Sequence, residues 1–196
     1  YPHLCDPGDP ENSIPTFFDL WTALFFERAR NAGDRYLLVE VGLGGPLDST
    51  SAIPHDVGVL TTVDLDHRPI LGDTIPEITR EKAAISRSGK PFIIADGDHA
   101  DIAMEVAISR HAKPIRITDD DRIPSSVLPP QRCNGACALA ALESLPQIDR
   151  WSPEEVKLAT SNLRLPARLE TITGPPALLL DGAHTPLSLR AFVDRF

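Results

Sequence analysis

Cysteine is scarce: there are three in 196 residues, Cys5, Cys133 and Cys137, with no paired Cys-x-x-Cys motif. That count leaves no even-numbered disulfide framework. Their spacing puts Cys133 and Cys137 one turn apart on a helix, where packing is the expected role. No run of lysine or arginine relieves a formal net charge of −9, which argues against nucleic acid or anionic lipid as a partner. A small phosphorylated ligand stays open, because backbone N–H groups, single arginines and a divalent cation suffice to hold one. No stretch approaches the ~18 consecutive apolar residues of a membrane span, and no signal peptide pattern is present. Internal repeats and low-complexity tracts are absent as well. The expectation is a cytoplasmic protein in a reducing compartment. The chain opens on Tyr1 and not on methionine, and reads as an excerpt of something longer.

What is present is ordinary for a globular chain, with 42% hydrophobic and 24% charged residues. The length suits one domain, or one domain plus part of another. Proline, at 19 residues, predicts stiff loops and sharply bounded helices.

The first fifteen residues read as loop. A helix pattern runs from Phe17 to about Ala32, with Thr16 and Asp19 spaced as a capping box. Tyr36-Leu-Leu-Val-Glu-Val41 is an apolar run that opens into Gly42-Leu-Gly-Gly45, the pattern of a buried parallel strand followed by a loop. Val57 to Val63 repeats the pattern and leads into Asp64-Leu-Asp-His67. A helix over Ile75–Ser86, a strand at Pro91–Ala95, a helix over His99–His111 and a strand at Ile115–Ile117 follow. Residues 118–132 read as a connector. Helices are expected from Asn134 to Leu145 and from Pro153 to Asn162. A last strand, Ala177–Leu180, ends in Asp181-Gly-Ala-His-Thr-Pro186 and a final helix. This alternation implies an α/β fold with a mostly parallel sheet.

Ligands of open α/β sheets bind beyond the carboxyl ends of the strands. Three expected strand ends carry polar groups there: Glu40 with the glycine loop, Asp64–His67, and Asp181–His184. A carboxylate inside Leu37–Val41 is costly to bury unless it is paired or bound to a cation, and Mg²⁺ beside a nucleotide would satisfy Glu40. His67 has two readings, a ligand for a second cation or bound water, and a structural hydrogen-bonding residue. The glycine cluster alone is equally well explained by a tight turn.

Four motifs occur in order over about 145 residues: Glu40-Val-Gly-Leu-Gly-Gly-Pro-Leu-Asp48-Ser-Thr50; Leu65-Asp-His67 with Leu71-Gly72; Glu81-Lys82-Ala83; and Asp181-Gly-Ala-His184. Together they resemble the folylpolyglutamate/dihydrofolate synthase family of the Mur ligase superfamily. Gln131 and Asn134 at the head of an alanine-rich helix add to the likeness. So does Pro166-Ala-Arg168-Leu-Glu170, which is similar to the family's Pro-Gly-Arg-x-Glu.

The resemblance implies a P-loop-type parallel-sheet domain, the Mur ligase central domain, over residues 1–163. It implies the start of a Rossmann-like C-terminal domain over 164–196. It implies a monomeric ligase that uses ATP and Mg²⁺ to add L-glutamate to folate or dihydropteroate through an acyl phosphate. Glu40 would hold one Mg²⁺ and His67 a second. Lys82 matches a catalytic lysine that becomes carbamylated; on its own it reads as a solvated helix residue beside Glu81. Asp48 and Thr50 would lie on the substrate side and Asn134 near the adenine. Arg168, Asp181 and His184 would reach the nucleotide, with Arg168 and His184 nearest the phosphates.

The pattern is also broken. No Gly-x-x-x-x-Gly-Lys-Ser/Thr loop occurs in these residues: Gly89-Lys90 is followed by Pro91, and Ala84 stands at the required first glycine. Pro46 replaces the family's arginine, while Ser51 and Thr185 each replace an asparagine. Tyr1-Pro-His-Leu4 resembles the family's Ser-Pro-His-Leu, with a shorter interval before the Phe17 helix. Two other readings remain, a Mur-type ligase of cell-wall precursors and a non-catalytic remnant.

Overall fold

The computed structural model describes residues 15–127, 130–161 and 165–194. Tyr1–Leu4, Cys5 and most of the expected opening loop lie outside the described residues. Helix α1 spans Phe17–Ala32. Thr16 and Asp19 form the expected reciprocal cap: the Thr16 hydroxyl accepts from Asp19 N at 3.1 Å, and the Asp19 carboxylate accepts from Thr16 N at 2.7 Å. Gly33, at φ 70°, closes the helix in the left-handed conformation that glycine adopts without penalty.

The sheet is parallel, in the order β1 (Gly58–Leu60), β2 (Pro91–Ala95), β3 (Lys113–Ile117). Successive side chains of a strand point to opposite faces, and β2 shows how that builds two layers. Phe92 and Ile94 pack with Leu60, Val63, Leu71, Ile78, Ala83 and the alanines of one helical layer. That layer is made of α3 (Ile75–Ala83) and α4 (Ala100–Ser109). Ile93 and Ala95 face the other way, onto Cys137 and its neighbours in α5 (Gln131–Glu143). All four side chains are fully buried. Each of the three larger ones contributes about 1.5–3 kcal/mol relative to exposure. Gly58 is needed opposite Phe92, because a Cβ there would lie 2.7 Å from the ring. The Cys137 thiol pKa is pushed up to about 12 by burial and by Cys133, as befits a packing residue.

A second cluster of Ile123, Ala136, Leu139 and Val156 ties residues 118–127 of the connector and α6 (Pro153–Ser161) to the outer side of α5. Arg122 lies beneath it, bonded to Asp120, Glu143 and the Trp151 carbonyl. Further on, β4 (Glu170–Ile172) pairs antiparallel with β5 (Leu178–Leu180), and α7 (Pro186–Val193) follows. Among the described residues no helix is long and apolar enough to cross a membrane.

Two differences from the sequence reading matter. Tyr36–Val41 has no regular secondary structure and belongs to no strand among the described residues, and Leu38 is 98% exposed. An apolar run has strand character only when a neighbouring strand takes up its N–H and C=O groups, and none does so here. The other difference is β4, a short strand with every residue exposed, which carries none of the alternation that marks a strand in sequence.

Candidate functional site

The glycine loop after Val41 lies directly on α3. A Cβ on Gly45 would collide with the Glu81 carbonyl oxygen, and one on Gly44 would lie 3.3 Å from the Glu81 carboxylate. The loop's shape is set by Asp48. One carboxylate oxygen accepts from Leu43 N at 2.9 Å, and the other accepts from both the amide and the hydroxyl of Thr50. Ser51 donates to Gly45 O at 3.0 Å, and Arg87 clamps the Ser51 carbonyl at 2.7 Å. The Ser49 hydroxyl donates to Asp19, which joins the loop to α1 and, with the Thr16 bonds, holds the Asp19 carboxyl below its ordinary pKa. Asp48 and Thr50, expected beside substrate, are thus bonded to each other and brace the loop. Gly45→Ala is expected to push the loop off α3 and cost about 1–3 kcal/mol, read as a lower urea midpoint.

Beyond β1, the chain reaches Asp64–His67. His67 has φ 51° and heads the short helix α2 (Arg68–Leu71) without giving it a side-chain cap. A non-glycine residue in this conformation stores backbone strain, and such residues cluster at functional sites. The Asp66 carboxylate accepts from His67 N at 2.8 Å, and its other oxygen lies 3.6 Å from His67 Nε2.

That same oxygen is 3.6 Å from Nε2 of His184. Two candidate residues far apart in sequence therefore meet around one carboxylate. His184 is set by the loop after β5: its Nδ1 donates to Gly182 O at 2.8 Å, a carbonyl that can only accept, and Nε2 is the nitrogen turned to Asp66. Asp181 holds this loop from within, accepting from Leu169 N and Ala183 N at 2.8 Å each. Arg168 lies across Gly182, where any Cβ would strike its guanidinium. Ala167 and Leu169, on either side of it, both take positive φ. Arg168, Asp181 and His184 are accordingly parts of one small turn assembly. Asp181 organises it, and Arg168 and His184 carry its outward chemistry.

The remaining candidates stand apart. Asn134 is exposed in the first turn of α5. Lys82 is half-buried on α3, and its ammonium makes no hydrogen bond or ion pair among the described residues. Its neighbour Glu81 is the residue that meets the glycine loop. Glu40 is exposed at the end of the unpaired 36–41 segment, so the strand end expected to carry it is not formed among the described residues.

Glu40 has no ionic or hydrogen-bond partner among the described residues, and His67 Nε2 meets only Asp66. No three acidic, histidine or cysteine side chains converge there to form a closed metal cage. Mg²⁺ seldom uses such a cage; it keeps several waters and binds through one or two carboxylates plus the phosphates of its nucleotide. Glu40 and His67 therefore offer one exposed carboxylate and one exposed imidazole nitrogen, and no pre-formed metal site among the described residues. Asp64 and Asp66 were missed as site residues in the sequence. Their signal is the alternation Asp64-Leu-Asp66, which puts two carboxylates on one side of an extended segment.

A parallel sheet with a polar segment beyond β1, a glycine loop on a helix and a second element bringing an arginine and a histidine define an α/β protein with a candidate ligand site beyond the carboxyl ends of its strands. No protein-family model matches the chain. It is 30% identical over 190 residues to the dihydrofolate synthase/folylpolyglutamate synthase of Escherichia coli, covering 87% of this chain and 44% of that protein. A folylpolyglutamate synthase solved in complex with AMPPCP and folate superposes with a TM-score of 0.81 at 27% identity, over 93% of this chain and 52% of the other. The bifunctional enzyme of Yersinia pestis, complexed with AMPPNP and Mn ion, gives 0.77 at 27%, over 94% and 48%. The chain belongs to the folylpolyglutamate synthase/dihydrofolate synthase family. It spans half or less of the length of the curated relatives it matches.

Proposed function

We propose that this chain is the central part of an ATP-dependent ligase that joins L-glutamate to a folate or dihydropteroate carboxylate. The observation that carries the reading is the meeting of His67 and His184 at Asp66, which joins two of the family's motifs in one place. Residues up to about 163 form the nucleotide-side domain, and those from 164 begin a second domain that contributes Arg168 and His184. In the proposed reaction the substrate carboxylate takes the terminal phosphoryl group of ATP, and ADP leaves. The glutamate amine then attacks the acyl phosphate, forming the amide and releasing phosphate.

Chemistry of this kind depends on positioning and charge neutralisation more than on an acid–base pair. Arg168 supplies a fixed cation for a phosphate, and His184 presents its Nε2 at the same place, beside Asp66. Glu40 and His67 would hold Mg²⁺, which neutralises phosphate charge when bound. Lys82 is the candidate for carbamylation, Asn134 for adenine contact, and Asp48 with Thr50 for the substrate side. The free thiols of Cys133 and Cys137 accord with a cytoplasmic location.

The grip on the β- and γ-phosphates in such enzymes comes largely from a P-loop, which these 196 residues do not contain. The chain alone is therefore expected to release no phosphate from ATP above background. Turnover by the pure chain that is abolished in Glu40→Gln would show the proposed division of labour to be wrong.

A further inference from the structure

The proposed ligase chemistry assigns Asp64 no step, yet it makes the longest-range polar contact at the site. Its Oδ1 accepts from Leu65 N at 2.8 Å, and its Oδ2 accepts from Leu187 N at 2.6 Å, across 123 residues of chain. Leu187 lies in the first turn of α7, where amides have no partner within their own helix. The rest of that turn is already satisfied locally. The Thr185 hydroxyl accepts from Ser188 N, and the Ser188 hydroxyl accepts from the amides of His184 and Thr185. Only the Leu187 amide is left over, and Asp64 takes it. Burial opposes ionisation of Asp64, but the Thr185 hydroxyl, the Leu187 and Leu65 amides and Arg190 outweigh it and hold the carboxyl below its ordinary pKa. An anion at the start of a helix is also favoured by the helix dipole. Thr185 is one of the positions where this sequence departs from the family's asparagine, and here its hydroxyl serves both the helix and Asp64.

His184 immediately precedes this cap. Seating the start of α7 on Asp64 places the His184 ring at the Asp66 oxygen that also meets His67. We propose that Asp64 is a positioning residue: it latches the first turn of α7 to the end of the β1 segment and so holds His184 beside Asp66 and His67. The consequence for ligation rests on the function proposed above; the latch itself does not, and it is tested without turnover.

Amide hydrogen exchange on the ¹⁵N-labelled chain reads the contact directly, because Leu187 N–H has no other acceptor. In the parent protein Leu187 should exchange about ten- to a hundredfold more slowly than in Asp64→Ala. Asp64→Asn, which keeps an acceptor oxygen, should fall between the two. The amides of Phe92, Ile93 and Ile94 in β2 should keep their protection in all three, which shows the fold to be intact. Positioning is read separately from the Cε1–H resonance of His184. Asp66→Ala should shift it in the parent background and leave it unmoved in the Asp64→Ala background, where the ring has already left. Equal Leu187 exchange in parent and Asp64→Ala would overturn the latch. A His184 shift of the same size in both backgrounds would overturn its positioning role.

Discussion

Replacing Phe92 with alanine should lower stability by about 3–5 kcal/mol, a large part of the 5–15 kcal/mol typical of a whole domain. Phe92 is fully buried in the central strand, with its ring over Gly58 of β1 and against the α3–α4 layer. Truncation leaves a cavity that β1 cannot fill, because the residue facing the hole is a glycine. β1 leads into Asp64–His67, so the loss reaches the site as well as the core. The urea midpoint and the dispersion of His67 resonances should fall together. A variant with an unchanged midpoint would mean that the layer collapses onto the gap and that β2 is not the keystone described here. Gly58→Ala in the Phe92→Ala background provides a second check, since the added methyl should recover part of the loss.

Arg122→Ala should cost about 3 kcal/mol, the lower end of the range for breaking a buried ionic network, because both carboxylate partners keep some contact with water. The guanidinium is 10% exposed; Asp120 and Glu143 are 19% and 22% exposed. Arg122 also donates to the Trp151 carbonyl at 2.8 Å, so one side chain joins the connector, the end of α5 and the approach to α6. Lysine should not rescue it, because a single ammonium cannot serve two carboxylates in the forked geometry. The pH dependence has a definite sign. Hydrogen bonding from Arg122 holds the Asp120 carboxyl below its ordinary 3.8. Its contribution is therefore complete above pH 3.8 and is lost as pH falls below that value. The gap between parent and variant in denaturant midpoint should be constant from pH 7 to pH 5 and should narrow below about pH 4.

Legibility in the sequence followed the range of the interaction that fixes each element. α1 was readable to the residue because its cap, Thr16 with Asp19, and its stop, Gly33, are local. β2 was readable at both ends because Pro91 and the polar Asp96 bound an unbroken apolar run. Tyr36–Val41 looks the same by that rule and yet is unpaired, since no local signal says which strand will lie beside it. The site divides in the same way. His67 and His184 were singled out by their place after apolar runs, and Glu40 by its place inside one; the structure brings the first two together and leaves Glu40 apart. The Asp66 carboxylate shared by two histidines was not singled out, because it depends on how the turn after β5 sits against the end of the β1 segment. Asp48 shows that a residue read from its motif can have a local task as well: both its oxygens shape its own loop.

The central proposal, glutamate ligation at a site shared by the β1 end and the α7 start, is tested most directly by joining this chain to the upstream strand–P-loop–helix segment and to the remaining C-terminal domain of a relative. The joined protein is then assayed for glutamylated product and ADP from ATP, L-glutamate and dihydropteroate or folate. Over many turnovers product and ADP should form in equal amounts, with sustained release of both requiring glutamate and both lost in Glu40→Gln and in His184→Ala. A joined protein that folds and binds ATP but forms no glutamylated product would contradict the proposal and leave a non-catalytic role for the chain.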